Sequence, residues 1–344
     1  MPGLTPQPDR GSALIPRWRI QAGDYVAEAR ISRDGQLCVV GTGDGTVVGV
    51  DAGEGRELFR ARAHDGGVLG LTISPDSTQL ATCGQEPVAK IWAANGELQR
   101  ELPGGGASWV EHVAWSPVGG RIATAAGRKV RVFGADGQLQ TEMDPLASTV
   151  SALAWRSDGT ALAASCYGGV HIWPFVAGAK NRHFAWKGSL ISLAWSPDAR
   201  VIACGSQDSS VHFWRLAKGE DSQMSGYRSK PKALAWDADS KLLATSGDAD
   251  VTLWDFRGKG PEGSTPIQLE GHDAVCTHLA FSPHKTLLAS GAPDKAVLIW
   301  EPRRDTRAVR HALLEDEVTA LVWHPELSIV GGDAGGNVSM WAMS

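Results

Sequence analysis

Histidine is the first residue type to test for chemistry, because its ring changes charge near neutral pH and ligates metals readily. Ten histidines occur in this 344-residue chain, and six of them fall into three pairs with matching sequence contexts. His64 and His272 share one register of a repeat, His112 and His278 each precede a proline by five residues, and His171 and His212 each precede a tryptophan by two. Used together, His112 and His278 with Glu28 would make a general acid-base set or a polar ligand pocket, whereas His171 and His212, in neighbouring repeats whose sheets pack about 10 Å apart, are too distant to share a metal ion. Nucleophilic chemistry has less support. There is no G-x-S-x-G elbow, and no Ser or Cys stands beside an unassigned His and acid. The five cysteines, Cys38, Cys83, Cys166, Cys204 and Cys276, are odd in number and lack C-x-x-C spacing, which argues against a disulfide framework and a zinc site. The glycine runs GTGDG (41–45) and PGGGAS (103–108) mimic phosphate loops, yet neither opens a helix, so the amide nest and dipole that hold a phosphate are missing. The residues therefore predict no catalytic group, no metal and no cofactor.

Charge and hydropathy exclude further classes. Lys and Arg number 33 against 38 Asp and Glu, a formal net charge of -5, so no global basic field exists to hold nucleic acid. No window approaches the 18 apolar residues of a membrane span, and the opening MPGLTPQPDRGSALIP carries prolines and charges where a secretory signal needs an apolar run. The expected compartment is the cytoplasm. Two basic clusters, Arg121, Arg128, Lys129 and Arg131, and the run PRRDTRAVRH (302–311), read as charge protecting exposed sheet edges, with docking of an acidic partner as the other use.

Forty-one glycines and 14 tryptophans, against 3 tyrosines and 7 phenylalanines, point to repetition. An apolar run ends at Trp92, Trp173, Trp214, Trp254, Trp300 and Trp341, with weaker copies ending at Val50 and Phe133, so eight anchors recur at spacings of 40 to 46 residues. Upstream of each anchor lies a second block of the type LAWSPD. Each unit reads as four antiparallel strands joined by Pro, Asp and Gly turns. One such sheet cannot bury both apolar faces alone, and twisted sheets stacked radially close into a propeller that also shields its edges. The predicted fold is all-β, an eight-bladed propeller, with seven blades if the aromatic-free first unit does not count. The chain stops just after the eighth anchor, so the strand beginning near Ile15 is expected to complete the last blade. Residues 1–14 are then a flexible tail and 15–344 a single domain.

The units resemble the WD40 repeat family, whose repeats carry Gly-His near the start and Trp-Asp at the end. Unit seven is the nearest copy, with Gly271-His272, Ser290, Asp294 and Trp300 in the slots of the family's hydrogen-bonded set; unit two has His64, Thr82 and Trp92, with Glu86 in the Asp slot. The resemblance gives His64 and His272 structural roles. Units three, four and eight have Gly127, Tyr167 and Gly335 in the Asp slot and are expected to rely on apolar packing.

The resemblance also implies a platform for protein or peptide partners, bound on the narrow face around the channel mouth. The family's contact offsets fall on Tyr25, Leu69, Trp109, Glu111, Ile191 and Lys232, with Gln85 and Gln207 at the turn position. Trp109 leads this set, being one of three tryptophans outside the repeat scheme and of a type that dominates binding hot spots. In an eight-bladed ring His112 and His278 lie in opposite blades, too far apart for one zinc ion. A small-ligand or enzymatic propeller using the channel mouth near those two histidines is the alternative. The expected protein is a non-catalytic scaffold, without nucleic acid or membrane, with a monomer favoured slightly over an oligomer.

Overall fold

The computed structural model describes residues 10–258 and 260–343, and the described residues form eight sheets and no helix. Blade 1 shows the plan, with strands Val26–Ile31, Leu37–Thr42, Thr46–Asp51 and Glu57–Arg62 hydrogen-bonded in chain order. Its first strand has small and branched residues, its second (LCVVGT) is buried on both faces, and its last (ELFRAR) alternates toward solvent. Burial thus falls from the middle of a blade to its rim, as it must when sheets stack face to face around an axis.

The first strands of successive blades touch one another around the axis, and Val318–Trp323 of blade 8 touches Val26–Ile31 of blade 1, which closes the ring. Antiparallel order then places the links between blades and the turns between second and third strands on one face. Turns of the Ser-Pro-Asp type occupy the other. In blade 4 the second and third strands run together as Ala161–Pro174, and the chain doubles back so that the Phe175 amide donates to the Thr160 carbonyl at 2.8 Å. Gly168 (φ +100°) and Gly169 (φ +130°) supply the left-handed backbone there, and a Cβ on Gly169 would sit 2.1 Å from the Phe184 carbonyl oxygen.

The repeated tryptophans join blades as well as fill them. Trp155, Trp195 and Trp323, at the ends of first strands, donate Nε1–H to the carbonyls of Ala114, Ala154 and Ala280 in the preceding blade at 3.0, 3.2 and 2.8 Å. Each of these three rings therefore satisfies its one donor across the blade boundary.

Closure uses the N-terminal strand. Ile15–Gln21 pairs antiparallel with Asn337–Ala342, with Ile20 opposite Val338, and the Ala22 amide donates to Gly336 O at 2.8 Å. Trp18 reaches past its own blade and donates to Ala52 O of blade 1 at 2.8 Å.

The expectation of a flexible tail over 1–14 is corrected for its last five residues, residues 1–9 lying outside the described residues. Ser12–Ala13 runs parallel to the outer strand Ala308–Leu313 of blade 7, the Leu14 amide donates to His311 O at 2.7 Å, and the Leu14 side chain is buried. Arg10 pairs with Asp273 at 2.7 Å and Asp294 at 3.2 Å. A chain that must enter blade 8 as its outer strand passes the edge of blade 7, whose unpaired backbone groups it satisfies. Gly11 permits the approach, since a Cβ there would lie 2.4 Å from the Val309 carbonyl.

Candidate functional site

Two blades carry a complete polar bracket near the ring's interblade face. In blade 7, His272 Nε2 and Ser290 Oγ are 2.8 Å apart, Trp300 Nε1 donates to the same Oγ at 2.8 Å, and His272 Nδ1 lies 3.1 Å from the Asp294 carboxylate. In blade 2, His64 Nε2 and Trp92 Nε1 both meet Thr82 Oγ1 at 2.9 Å, while His64 Nδ1 bonds Glu86. Lys90 adds a cation to Glu86 at 2.9 Å. Burial pushes the Glu86 and Asp294 carboxyls up, but Lys90 and His64 for the first, and His272 for the second, outweigh it and leave both below the usual carboxylate range. The longer Glu side chain thus does in blade 2 what Asp does in blade 7. These histidines are held on both nitrogens inside the sheet, away from any reacting group.

Blade 6 builds a related bracket, without the acid, from a residue that the sequence pattern did not single out. Tyr227 OH stands 2.8 Å from Thr245 Oγ1 and accepts from Trp254 Nε1 at 2.8 Å, so a phenol replaces imidazole. Its place eighteen residues before Thr245, matching His64 to Thr82 and His272 to Ser290, is the signal that marks it. Blade 8 also departs from the expectation of apolar packing alone. Asp333, two positions before Gly335, is fully buried and accepts from the Asn337 amide at 2.8 Å and from Asn337 Nδ2. Asp333 ends its strand and Gly335 lies in the turn that follows, so the acid moves from the turn to the buried strand end.

The structure does not assemble the histidine pairs. His112 and His278 stand in opposite blades; His112 Nε2 meets Val150 O of the neighbouring blade at 3.2 Å, and His278 Nδ1 meets Thr277 Oγ1 at 2.9 Å. Burial lowers the affinity of both rings for a proton, and for His278 burial and the nearby Lys232 push the pKa to about 4. Glu28 pairs with Arg30 at 2.7 Å. His171 stacks on His183, ring centroids 4.2 Å apart, whereas His212 lies against Trp186 at 3.4 Å.

The interblade face is different in character. Tyr25 (45%), Leu69 (37%) and Trp109 (50%) are exposed large side chains on blades 1, 2 and 3, and Tyr167 (53%) continues them on blade 4. In the sequence Tyr167 registers only as a departure from the Asp slot; an aromatic ring at the tip of a turn is the signal that marks it. Gln85, Gln207 and Lys232 are exposed, whereas Glu111 and Ile191 are half-buried, the Ile191 amide donating to Gly205 O at 2.8 Å. The contact set thus divides into an apolar arc over four neighbouring blades and a polar remainder. Beside Trp109, a cavity of about 430 Å³ opens between blades 3 and 4, floored by Gly104, Gly105 and Gly106 and bordered by Arg128 and Lys129.

Sheet count and repeat length define a class, the eight-bladed β-propeller, and the polar brackets are of the kind found in WD40 repeats. The WD domain, G-beta repeat family model matches residues 55–93, 180–215, 222–255 and 263–301, so the chain is an eight-bladed propeller with WD40 repeats in four places. Among curated proteins it is similar to the intraflagellar transport protein 80 homolog of Mus musculus, at 26% identity over 165 residues, 44% of this chain and 20% of that one. It is also similar to the probable cytosolic iron-sulfur protein assembly protein 1 of Cryptococcus neoformans var. neoformans serotype D, at 33% over 119 residues, 35% of this chain and 25% of that one. The chain thus spans a quarter or less of the length of these relatives. Among solved structures, the computationally designed Ika8 protein matches with a TM-score of 0.80 at 22% identity, over 97% of this chain and 100% of that one, a likeness of fold alone.

Proposed function

We propose that this propeller is a non-catalytic platform that docks a protein or peptide on its interblade face, with Trp109 as the principal contact. The observation that carries this reading is the arc of exposed Tyr25, Leu69, Trp109 and Tyr167 across four adjacent blades, since large apolar groups crowd an exposed rim chiefly where a partner covers them. The separation of His112 from His278, each engaged by its own surroundings, favours docking over chemistry at the channel mouth. All five cysteines are free and buried, and burial pushes the Cys38 thiol to about 12, a state that suits the reducing cytoplasm, where on this reading the protein acts as a monomer.

The test compares Trp109→Ala with Trp300→Ala. Trp109 is half exposed and Trp300 fully buried. Truncating Trp109 is expected to cost about 1–3 kcal/mol of partner affinity with an unchanged melting temperature, and truncating Trp300 about 3–5 kcal/mol of stability. Partners are read by quantitative co-purification from native extract at physiological salt. Undiminished capture by a folded Trp109→Ala protein would sink the docking role of this face.

A further inference from the structure

The cavity between blades 3 and 4 has a chemistry that the apolar arc lacks. Arg128 and Lys129 leave the turn after the second strand of blade 3, and both point their donors at backbone oxygens: Arg128 Nε at Leu146 O, 2.5 Å, and Lys129 Nζ at Gly105 O, 2.7 Å. These bonds fix the two cations at the cavity wall without neutralising them. Behind the floor lies Arg131, whose guanidinium packs so close to Gly105 that a Cβ there would be 2.4 Å from Arg131 Cζ. Glu142 takes most of its charge, Nε donating to that carboxylate at 2.6 Å, and the same carboxylate forms a looser ion pair with Lys129 Nζ at 3.9 Å. Arg128 is exposed and pairs with no carboxylate among the described residues. The floor is open: a Cβ on Gly106 would meet nothing within 4 Å.

Two exposed aromatic residues are tied to the segments that line this well. Trp109 follows Ser108, a lining residue, on one side. On the other, Ser148 Oγ accepts from the Tyr167 amide at 2.9 Å and so ties the Tyr167 turn to the segment that supplies the lining residue Thr149.

We propose that the well between blades 3 and 4 seats Asp or Glu side chains of an extended partner segment, with Arg128 and Lys129 as their counter-charges and Trp109 and Tyr167 gripping apolar neighbours on either side. This rests on the docking face of the preceding section and adds to it the class of ligand. A guanidinium matches a carboxylate with two parallel N–H donors, and aromatic rims exclude water from such a pair. The protein as a whole carries a formal charge of -5, so an acidic segment is steered to this well by local and not by global charge.

The test is a selection from a random 12-residue phage-displayed peptide library on the whole 344-residue chain, followed by affinity measurements of the enriched peptides. Enriched sequences should carry Asp or Glu beside an aromatic or aliphatic residue. Their binding should weaken about tenfold or more in Arg128→Glu, recover at least partly in Arg128→Lys, and fall with rising salt. Arg128 is exposed, so its variants are expected to melt as the parent does. Enrichment without acidic residues, or acidic peptides that bind Arg128→Glu undiminished, overturns the acidic-segment proposal. Peptides sensitive to Trp109→Ala yet indifferent to Arg128→Glu would leave the docking face standing and remove the carboxylate seat. Selection of no peptide, or of peptides indifferent to both substitutions, would overturn both.

Discussion

At the scale of single residues, this protein uses its titratable groups to hold sheets together. His64 and His272 bond hydroxyls and carboxylates within a blade, and Tyr227 substitutes for them in blade 6. Because these polar atoms are buried, each needs its partner, and the partners in turn orient the anchor tryptophans. Burial has a second consequence. It lowers the proton affinity of His64, His112 and His212, and pushes His278, with Lys232, and His171, with His183, to about 4. In the unfolded chain these rings take up protons near pH ~6.5. Between that value and about 4 the unfolded state binds more protons than the folded one, so stability is full above the unfolded value and declines as pH falls through the window. Thermal melts at steps from pH 7.5 to pH ~4.5 should show the midpoint falling below about 6.5, and His278→Gln should make the fall shallower. A midpoint that stays level throughout would contradict histidines kept neutral by burial.

Among elements, the decisive contacts are between one blade's second strand and the next blade's first. Gly41, near the end of Leu37–Thr42, faces Val68, so that a Cβ there would lie 2.6 Å from Val68 Cγ1; Gly332 faces Val26 across the closing boundary with 2.4 Å to Cγ1. The absence of a side chain lets neighbouring blades approach, and Val fills the space. Gly332→Val should therefore overpack the blade 8 to blade 1 boundary and cost about 1–3 kcal/mol, whereas Gly106→Val, in open space, should leave stability close to the parent's. Urea denaturation of the two variants measures the difference, and equal midpoints would mean that the boundary yields easily. Strand order and anchor positions were legible in the sequence because both follow from local alternation and turn residues, which repeat visibly. The polar bracket of blade 6 was less legible, since Tyr227 carries the function of a histidine through geometry that no motif of His and Asp describes.

For the whole molecule, closure is what joins eight marginal sheets into one ring. The strand Ile15–Gln21 supplies the outer edge of blade 8, and Ser12–Ala13 covers the edge of blade 7 on the way. Removing residues 1–21 should expose the ladder of Asn337–Ala342 and loosen the blade 8 to blade 1 boundary first. Hydrogen exchange should show protection lost in Ser328–Asp333, Asn337–Ala342 and Val26–Ile31, with blades 3 to 5 kept. Full protection of blade 8 in the truncated protein would show that the ring closes without its N-terminal strand.

Period, anchor and turn type are properties of short stretches, so the residues alone determined the repeat, the four-stranded unit, the eight blades and the N-terminal strand that completes the last. The contact offsets that the family resemblance implies, carried in the register of the repeat, likewise fall on Tyr25, Leu69 and Trp109, because that register is local too. What tertiary structure decided lies wherever two blades meet. It left Ile191 half-buried while Tyr167 stands exposed, turned residues 10–14 from tail into a strand and ion pair, and opened the well beside Arg128. Exposure, distance and cavity shape at such boundaries depend on groups some forty residues away or more, and no local pattern encodes how those groups come together.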